Sequence, residues 1–574
     1  MAKQKQSQKI RELQRRIDDL EKARNRFRGQ WQEIAKYITP GRGIFDDTEP
    51  NVGERRDREL LDATPFQALT TLAAGMQGGL TSPSRPWFKL GVTDPELGDY
   101  EPIRVWLDEV ERRMLHVMGR SNVYNCLHTL YSEVGAFGTG AIYIEEDPTE
   151  VIRCTSLTAG EYSVSFDSRG MPAEFARSFW MSAAQLADKF DEDDLSDAVK
   201  NALEGGRRGD WFRVHHLIFP NDRYSPLGKG RKESIASAMP WASVYWESGK
   251  DHPLRVSGYE EFPVLVPRWD VLGSDYYGRG PGWAALGESK MLQELRHDYL
   301  GAQKLSIKPP LMGPSALQKA RANLSAGAVT YYDGEAGFQP IYQVRPDIPG
   351  QLQAITESRE LIQRFFYADL FLMLAQNDTR DMTAREVAER HEEKMLMLGP
   401  VLERLENELL DPLIERVFAI MDRMGLLPSP PEDLGGKILQ VEYISILAQA
   451  QRMVGIDGIE RMIGFVGGYA QLKPEVLDKI DFDETIDQYA KKLGVPASVI
   501  VSDENVALIR KQRAEQQAQM EQMAAMQQAA QTAQQGAGAV NQISQAAAGG
   551  GLNEVASLLG MEGEEMMGNE GGLL

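Results

Sequence analysis

Two stretches of similar length with helical apolar spacing, residues 281–308 and 351–374, stand either side of a short interruption, and that arrangement constrains the fold of this chain more than any other feature. In the first, Ala284, Leu286, Met291, Leu292, Leu295, Tyr299 and Leu305 supply much of the apolar surface after a start at Pro281. Between the two, residues 309–350 break into pieces too short to bury a core of their own: a small helix near Ala316–Leu324, then the segments AVTYYD and GFQPIYQV. Two helices joined through so small an αβ tip form a hairpin-like projection that carries the tip away from a body.

The remaining chain has to supply that body. Ile10, Leu13, Ile17, Leu20, Phe27, Trp31, Ile34 and Ile38 keep a three-four spacing broken only at Arg24, the stripe of a long amphipathic helix that needs a partner surface. Thr64 as N-cap and Pro65 at the first helical position open a second helix, with Leu69, Leu72 and Met76 on one face and a stop near Gly78 and Gly79. Two further helical patterns follow, through Ile103, Trp106, Leu107, Val110 and Met114, and through Leu127, Leu130, Val134 and Phe137. From Gly140 the period drops from 3.6 to 2, and AIYIEE, VIRCTSL, EYSVSF, EFARSFW, WFRVHHLIF, SVYWE and FPVLVPRWDV read as short strands of a β-rich lobe. After the polar loop AQNDTRDM, residues 383–428 carry the longest helical signal, about 60 Å if straight but bent at Pro400 and Pro412. Beyond Pro428 a Pro/Gly-rich break leads into a mostly helical region, residues 429–502. Residues 503–535, rich in Ala, Gln and Met, favour helix but offer little large apolar surface, so packing against copies of themselves is needed to hold it. Residues 536–574, Gly/Ala-rich and then acidic, read as a mobile tail. The expected class is α+β, mainly helical.

Charge limits the function classes. The 574 residues include 63 Lys plus Arg against 84 Asp plus Glu, a net charge of −21, which is the wrong sign for a protein whose task is to grip phosphates. Any DNA contact is expected to be loose or transient. Cys126 and Cys154 allow at most one bridge, match no metal knuckle or redox pair, and read as two reduced thiols. The polar start, MAKQKQSQKIRELQRR, has no apolar region of a signal peptide, and no stretch reaches the roughly 18 apolar residues of a membrane span, so no membrane partner is expected.

The motifs of catalysis are mostly missing. No phosphate-cradling G-x-x-x-x-G-K-[ST] occurs, and the glycine segments GAFGTG (135–140) and YGRGPGW (277–283) lack the strand-to-helix context of a dinucleotide loop; they read as a helix-to-strand turn and a helix start. His215 and His216 fall on one strand, where neighbours point to opposite faces. His391 and Glu392 resemble a zinc-protease helix, but Met395 stands where the second histidine belongs. Asp191, Glu192, Asp193 and Asp194 read as a solvated loop or helix end. No catalytic, cofactor or metal residue is assigned, and the chain reads as a non-enzyme.

Four stretches in order, AAGMQGGLTSPSRPWFKL (73–90), SEVGAFGTGAIYIEE (132–146), DYYGRGPGWAAL (275–286) and the long segment from Asp381 to Pro428, resemble the head-to-tail connector, or portal, family of short-tailed bacteriophages. The resemblance spans roughly residues 10–430. It implies the portal fold, a ring of usually twelve subunits at one capsid vertex of the virion, assembled in the host cytoplasm. On that reading residues 1–280 form the wing, 281–308 and 351–374 the two stem helices, 309–350 the clip, 375–382 the tunnel loop, 383–428 a kinked wing-to-crown helix and 429–502 the crown, with a C-terminal barrel open for 503–535. The implied partners are further copies of the chain, the major capsid or scaffolding protein, the large terminase subunit, a tail adaptor and double-stranded DNA passing through the channel during packaging and ejection. No cofactor is implied.

A predominantly negative channel wall repels the DNA backbone and suits a conduit. Lys290, Arg296, Lys304, Lys308, Lys319 and Arg321 in the stem and clip are candidates for sparse positive rings facing the duplex; ordinary ion pairs between subunits are the other reading. Gln376, Asn377, Asp378, Thr379, Arg380 and Asp381 are the candidate tunnel-loop residues, polar and without a large apolar anchor, as a mobile gate requires and as any surface loop also shows. The alternative function is a ring-forming tail or adaptor protein without a packaging role.

Overall fold

The computed structural model describes residues 2–45, 60–93, 100–221, 239–307, 311–312, 339–340, 347–375, 398–434, 439–445, 447, 456–470 and shorter pieces within 473–527. Two compact units divide the chain, Met1–Leu472 and Lys473–Leu574. In the second, residues 505–520 are helical with every side chain but the half-buried Val506 exposed, and Arg510 pairs with Asp483 at 2.6 Å.

The first unit runs α1 (Ala2–Tyr37), α2 (Thr64–Leu80), β1 (Phe88–Val92), α3 (Glu101–Arg120), α4 (Val123–Phe137), β2 (Ala141–Asp147), β3 (Val151–Leu157), β4 (Tyr162–Phe166) and β5 (Pro172–Ser182). There follow α5 (Ala183–Lys189), α6 (Asp197–Glu204), β6 (Trp211–Pro220), β7 (Trp241–Glu247), β8 (Pro253–Tyr259) and β9 (Val264–Leu265). Then come α7 (Pro281–Ile307), β10 (Leu311–Met312), β11 (Gln339–Pro340), α8 (Ile348–Phe365), α9 (Ala368–Ala375), α10 (Asp411–Arg423), β12 (Leu439–Tyr443) and α11 (Ile456–Ala470).

Helix α1 uses the stripe read from its spacing: Ile10, Ile17 and Leu20 bury against Ala176, Leu217 and Trp246 of the sheet, while Trp31, Ile34 and Ile38 enter the main core. The break at Arg24 has a cause, because its guanidinium leaves the apolar stripe to donate to the Gly160 carbonyl at 2.8 Å. Helix α2 begins one residue earlier than expected. Thr64 is its first residue and Ala63 its cap, and the Thr64 hydroxyl donates to Asp62 Oδ1 at 2.6 Å instead of serving the helix end.

The β-rich lobe is a five-stranded antiparallel sheet, β4-β5-β6-β7-β8, beside a three-stranded sheet, β3-β2-β9. Of the segment FPVLVPRWDV only Val264–Leu265 is a strand, since Pro263 and Pro267 have no N–H and contribute carbonyls alone, accepting from Ile144 and Gly140. Strand β8 and helices α5 and α6, only seven, seven and eight residues long, are too short to stand out in the sequence. Strands β1 and β12 pair across some 350 residues of chain, from Phe88↔Tyr443 to Val92↔Leu439, so part of the region expected to be helical beyond Pro428 is a strand. The second long helix of the pair is also broken: α8 ends at Phe365 and α9 begins at Ala368, with Tyr367 at φ 54 between them. A non-glycine residue at positive φ ends one helix and re-aims the next.

Candidate functional site: the root of the helix pair

Helices α7 and α8 pack along each other, and three sets of contacts fix their root in the body. The first is made of backbone. Gly138 closes α4 with φ +85, and Gly278 lies directly against it: a Cβ on either residue would run into the other's main chain. The Thr139 hydroxyl accepts from Gly278 N at 2.7 Å, Trp269 N donates to Gly138 O at 2.9 Å, and Trp283 Nε1 donates to Phe137 O at 2.8 Å. The two glycine segments that superficially resemble nucleotide loops therefore occupy each other, and the close approach they permit seats Pro281, the first residue of α7.

The second set centres on Asp62, a carboxylate only 5 % exposed just ahead of α2. Its Oδ1 accepts from Thr64 N at 3.0 Å, its Oδ2 accepts from Arg359 Nε and Nη2 at 3.0 and 2.7 Å, and Arg296 lies 3.5 Å from Oδ2. Gln293 completes it, its Oε1 accepting from Leu61 N and Asp62 N while its Nε2 donates to Asp62 O at 3.0 Å. Burial alone would raise the Asp62 pKa, but the hydrogen bonds from Thr64 and Arg359 together with the Arg359 charge outweigh it and hold the carboxyl below its usual range. One acid thus ties α2 to α7 and α8 at once.

The third set lies where Pro412 interrupts the helix running from residue 398 into α10. Residues Glu406–Leu410 form a π turn immediately before it, a widened ring that accommodates a residue without an N–H. That turn presents Glu408 to Arg268. The carboxylate accepts from Arg268 N, Nε and Nη2 at 2.9, 3.1 and 2.6 Å, with side chains 7 % and 13 % exposed, and the guanidinium covers the Phe166 ring at 3.9 Å. The π turn before Pro412 is therefore also the placement of a buried ion pair. Residues 383–397 of that helical signal lie outside the described residues.

Three of the basic residues singled out in the sequence fall within the described part of the pair. Lys290 reaches Glu33 of α1 at 2.7 Å, Arg296 belongs to the Asp62 set, and Lys304 is exposed in the last turn of α7. Lys308, Lys319, Arg321 and the loop residues Gln376 to Asp381 lie outside the described residues, as do His391 and Glu392. His215 and His216 do project to opposite faces: His215 meets Ser178 Oγ at 2.8 Å, and His216 stacks on Tyr245 with centroids 3.7 Å apart. Burial, with help from Arg213, lowers the His215 pKa to about 4, and burial beside Arg177 holds that of His216 well below its ordinary value. Cys126 and Cys154 are free and buried, the Cys126 thiol donating to the Cys154 carbonyl.

Asp62, Gln293, Arg359, Arg268 and Glu408 escaped the sequence reading. The only local signals were an Asp two residues before Thr-Pro, which favours a side-chain-to-backbone turn, and an acid four residues before a helical proline.

Among the described residues no helix is long and apolar enough to cross a membrane. The comparisons place this mixed body with its rooted helix pair among the structural subunits of phage particles. The model of the bacteriophage head to tail connecting protein family matches residues 11–501. The portal protein of Salmonella phage epsilon15 is 40% identical over 510 residues, covering 88% of this chain and 91% of the relative. A probable portal protein of Bordetella phage BPP-1 is 42% identical over 510 residues, covering 88% and 90%. A chain of the native gene transfer agent virion aligns over 79% of this chain and 96% of its own at 11% identity, with a TM-score of 0.34, too distant to bear on the fold. The chain belongs to the bacteriophage head-to-tail connector family, the portal proteins.

Proposed function

We propose that copies of this chain, twelve by analogy with the family, close into the portal ring at one capsid vertex, the channel through which double-stranded DNA is packaged and later ejected. One observation carries this reading. The buried residues of α7 end at Gln293, whereas Leu300, Leu305 and Ile307 in its outer half are exposed, Ile307 at 75 %. A helix held so firmly at its root and left with exposed apolar side chains in its outer half is finished by neighbours packed side by side around a common axis.

On this reading α7 and α8 are stem helices. Residues 309–350 are the clip that docks the large terminase subunit and then the tail adaptor, the β-rich lobe and α1–α4 are the wing facing the capsid or scaffolding protein, and residues 376–381 are the tunnel loop. Lys304 is the described basic residue best free to meet the duplex, since Lys290 and Arg296 are engaged within the chain. The net charge of −21 keeps DNA moving past the wall. The protein performs no chemistry of its own and is assembled in the host cytoplasm into the virion.

Native mass measurement together with negative-stain imaging of the purified chain tests this. A single closed assembly with a central hole is expected; a monodisperse monomer, or stacks without a shared axis, overturns it.

A further inference from the structure

On the body, away from the helix pair, a groove of about 660 Å³ runs between the C-terminal half of α3, the turn joining β2 to β3, and the end of α10. Its floor is apolar, formed by Val117, Val151, Met421 and Leu426. Its rim is basic: Arg112, Arg113 and Arg120 are all exposed on the same stretch of α3. The walls are built, because Trp106 Nε1 donates to Pro428 O at 2.9 Å and Arg113 Nη1 donates to Leu426 O at 2.7 Å, which fixes the chain after α10 against α3.

Three features ask for an occupant. The first is charge. Glu109 pairs with Arg112 and Arg113, and Glu150 of the rim pairs with Arg153, yet guanidinium groups still outnumber carboxylates here, on a chain whose net charge is −21. The sign of the surface is locally inverted, so an acidic partner repelled elsewhere is steered to this place. The second is the floor, which gains from apolar side chains and offers nothing to a phosphate backbone, and that favours an acidic peptide over nucleic acid. The third is Val151, a β-branched residue at φ 72 that lines the groove at the start of β3. A left-handed backbone at such a residue is strained, and strain of this kind is held where the position of the side chain matters.

We infer that this groove docks an acidic amphipathic peptide segment of a partner protein, with leucine- or methionine-like side chains on the floor and glutamate- or aspartate-like side chains against Arg112 and Arg120.

The probe is a fluorescein-labelled synthetic peptide that carries leucines at helical spacing among glutamates, titrated with the full chain by fluorescence anisotropy. Saturable binding is expected, weakening as salt rises because the rim is exposed. Arg112→Glu combined with Arg120→Glu should weaken it by about tenfold or more, and Leu426→Glu by about tenfold. Arg120→Gln, which leaves every wall contact in place, should weaken it by roughly threefold and carries the test if the charge reversals disturb folding, as read from thermal midpoint and assembly size. The inference fails if the peptide does not bind, or if none of these variants changes its affinity. It fails equally if a leucine-free glutamate peptide or a short DNA duplex binds as well and with the same arginine dependence. Tighter binding by a peptide of residues 551–574 would make the occupant this chain's own terminal segment and overturn the assignment to a partner.

Discussion

The sheet β4–β8 and the outer half of α7 differ in how completely one chain covers its own apolar surface. In the sheet, Val214, Leu217, Ile218 and Tyr245 are all at or below 2 % exposure. Arg177 of β5 donates to His216 of β6 at 3.3 Å and lies between the rings of Phe179 and of Tyr143 from β2 in the neighbouring sheet, whose hydroxyl donates to Glu145 at 2.9 Å. Along α7 nothing is buried past Gln293. The contrast teaches where the folding of a single chain ends and assembly begins. The core of the body is closed by contacts within the chain, and the boundary runs through the Asp62 set, where a buried carboxylate meets the partly exposed Arg296 and Arg359.

Breaking the inner side of that boundary should cost most. Arg268→Met keeps the cover over Phe166 but leaves the buried Glu408 only the partly exposed Arg404 at 3.8 Å, and a loss of about 2–4 kcal/mol in unfolding free energy is expected by denaturant titration. Asp62→Ala removes one acid and strands Arg359 and Arg296, for about 2–3 kcal/mol. The same site predicts an acid response. Because the folded Asp62 carboxyl titrates below its ordinary value of about 3.9, its stabilising contribution is complete above that value and is lost as pH falls through the depressed one. Hydrogen exchange at the start of α2 and along the inner half of α7 should therefore accelerate in the Asp62→Ala variant at neutral pH, and in the wild type only in acid.

Effects shrink toward solvent. Lys290→Ala removes a half-exposed pair with Glu33 and should shift stability by no more than about 1 kcal/mol in the same titration. Ile307→Asp should leave unfolding of the chain within about 0.5 kcal/mol while shifting native mass from ring to smaller species, which separates the two sides of the boundary most cleanly. A large loss of chain stability there would mean that α7 is completed within the chain after all. Deleting residues 377–381 should leave ring mass unchanged and impair DNA retention or packaging; loss of assembly would make that loop a subunit contact instead of a gate.

Local chemistry carried much of the architecture. Apolar spacing set α1, α3, α4 and α7, the change of period at Gly140 marked the β-rich lobe, and Pro281 set the start of the first helix of the pair. These features were legible because helix and strand periods, proline and glycine act over a few residues. The clamps at the root were not, since Asp62 meets Arg359 and Arg268 meets Glu408 across 297 and 140 residues, and no local pattern says which buried charges will be partners. The pairing of β1 with β12, the break at Tyr367 and the mutual seating of the two glycine segments were likewise decided only by the tertiary structure. Propensity chooses the elements, but it is the requirement that every buried charge and backbone group find a partner that fixes how distant elements meet.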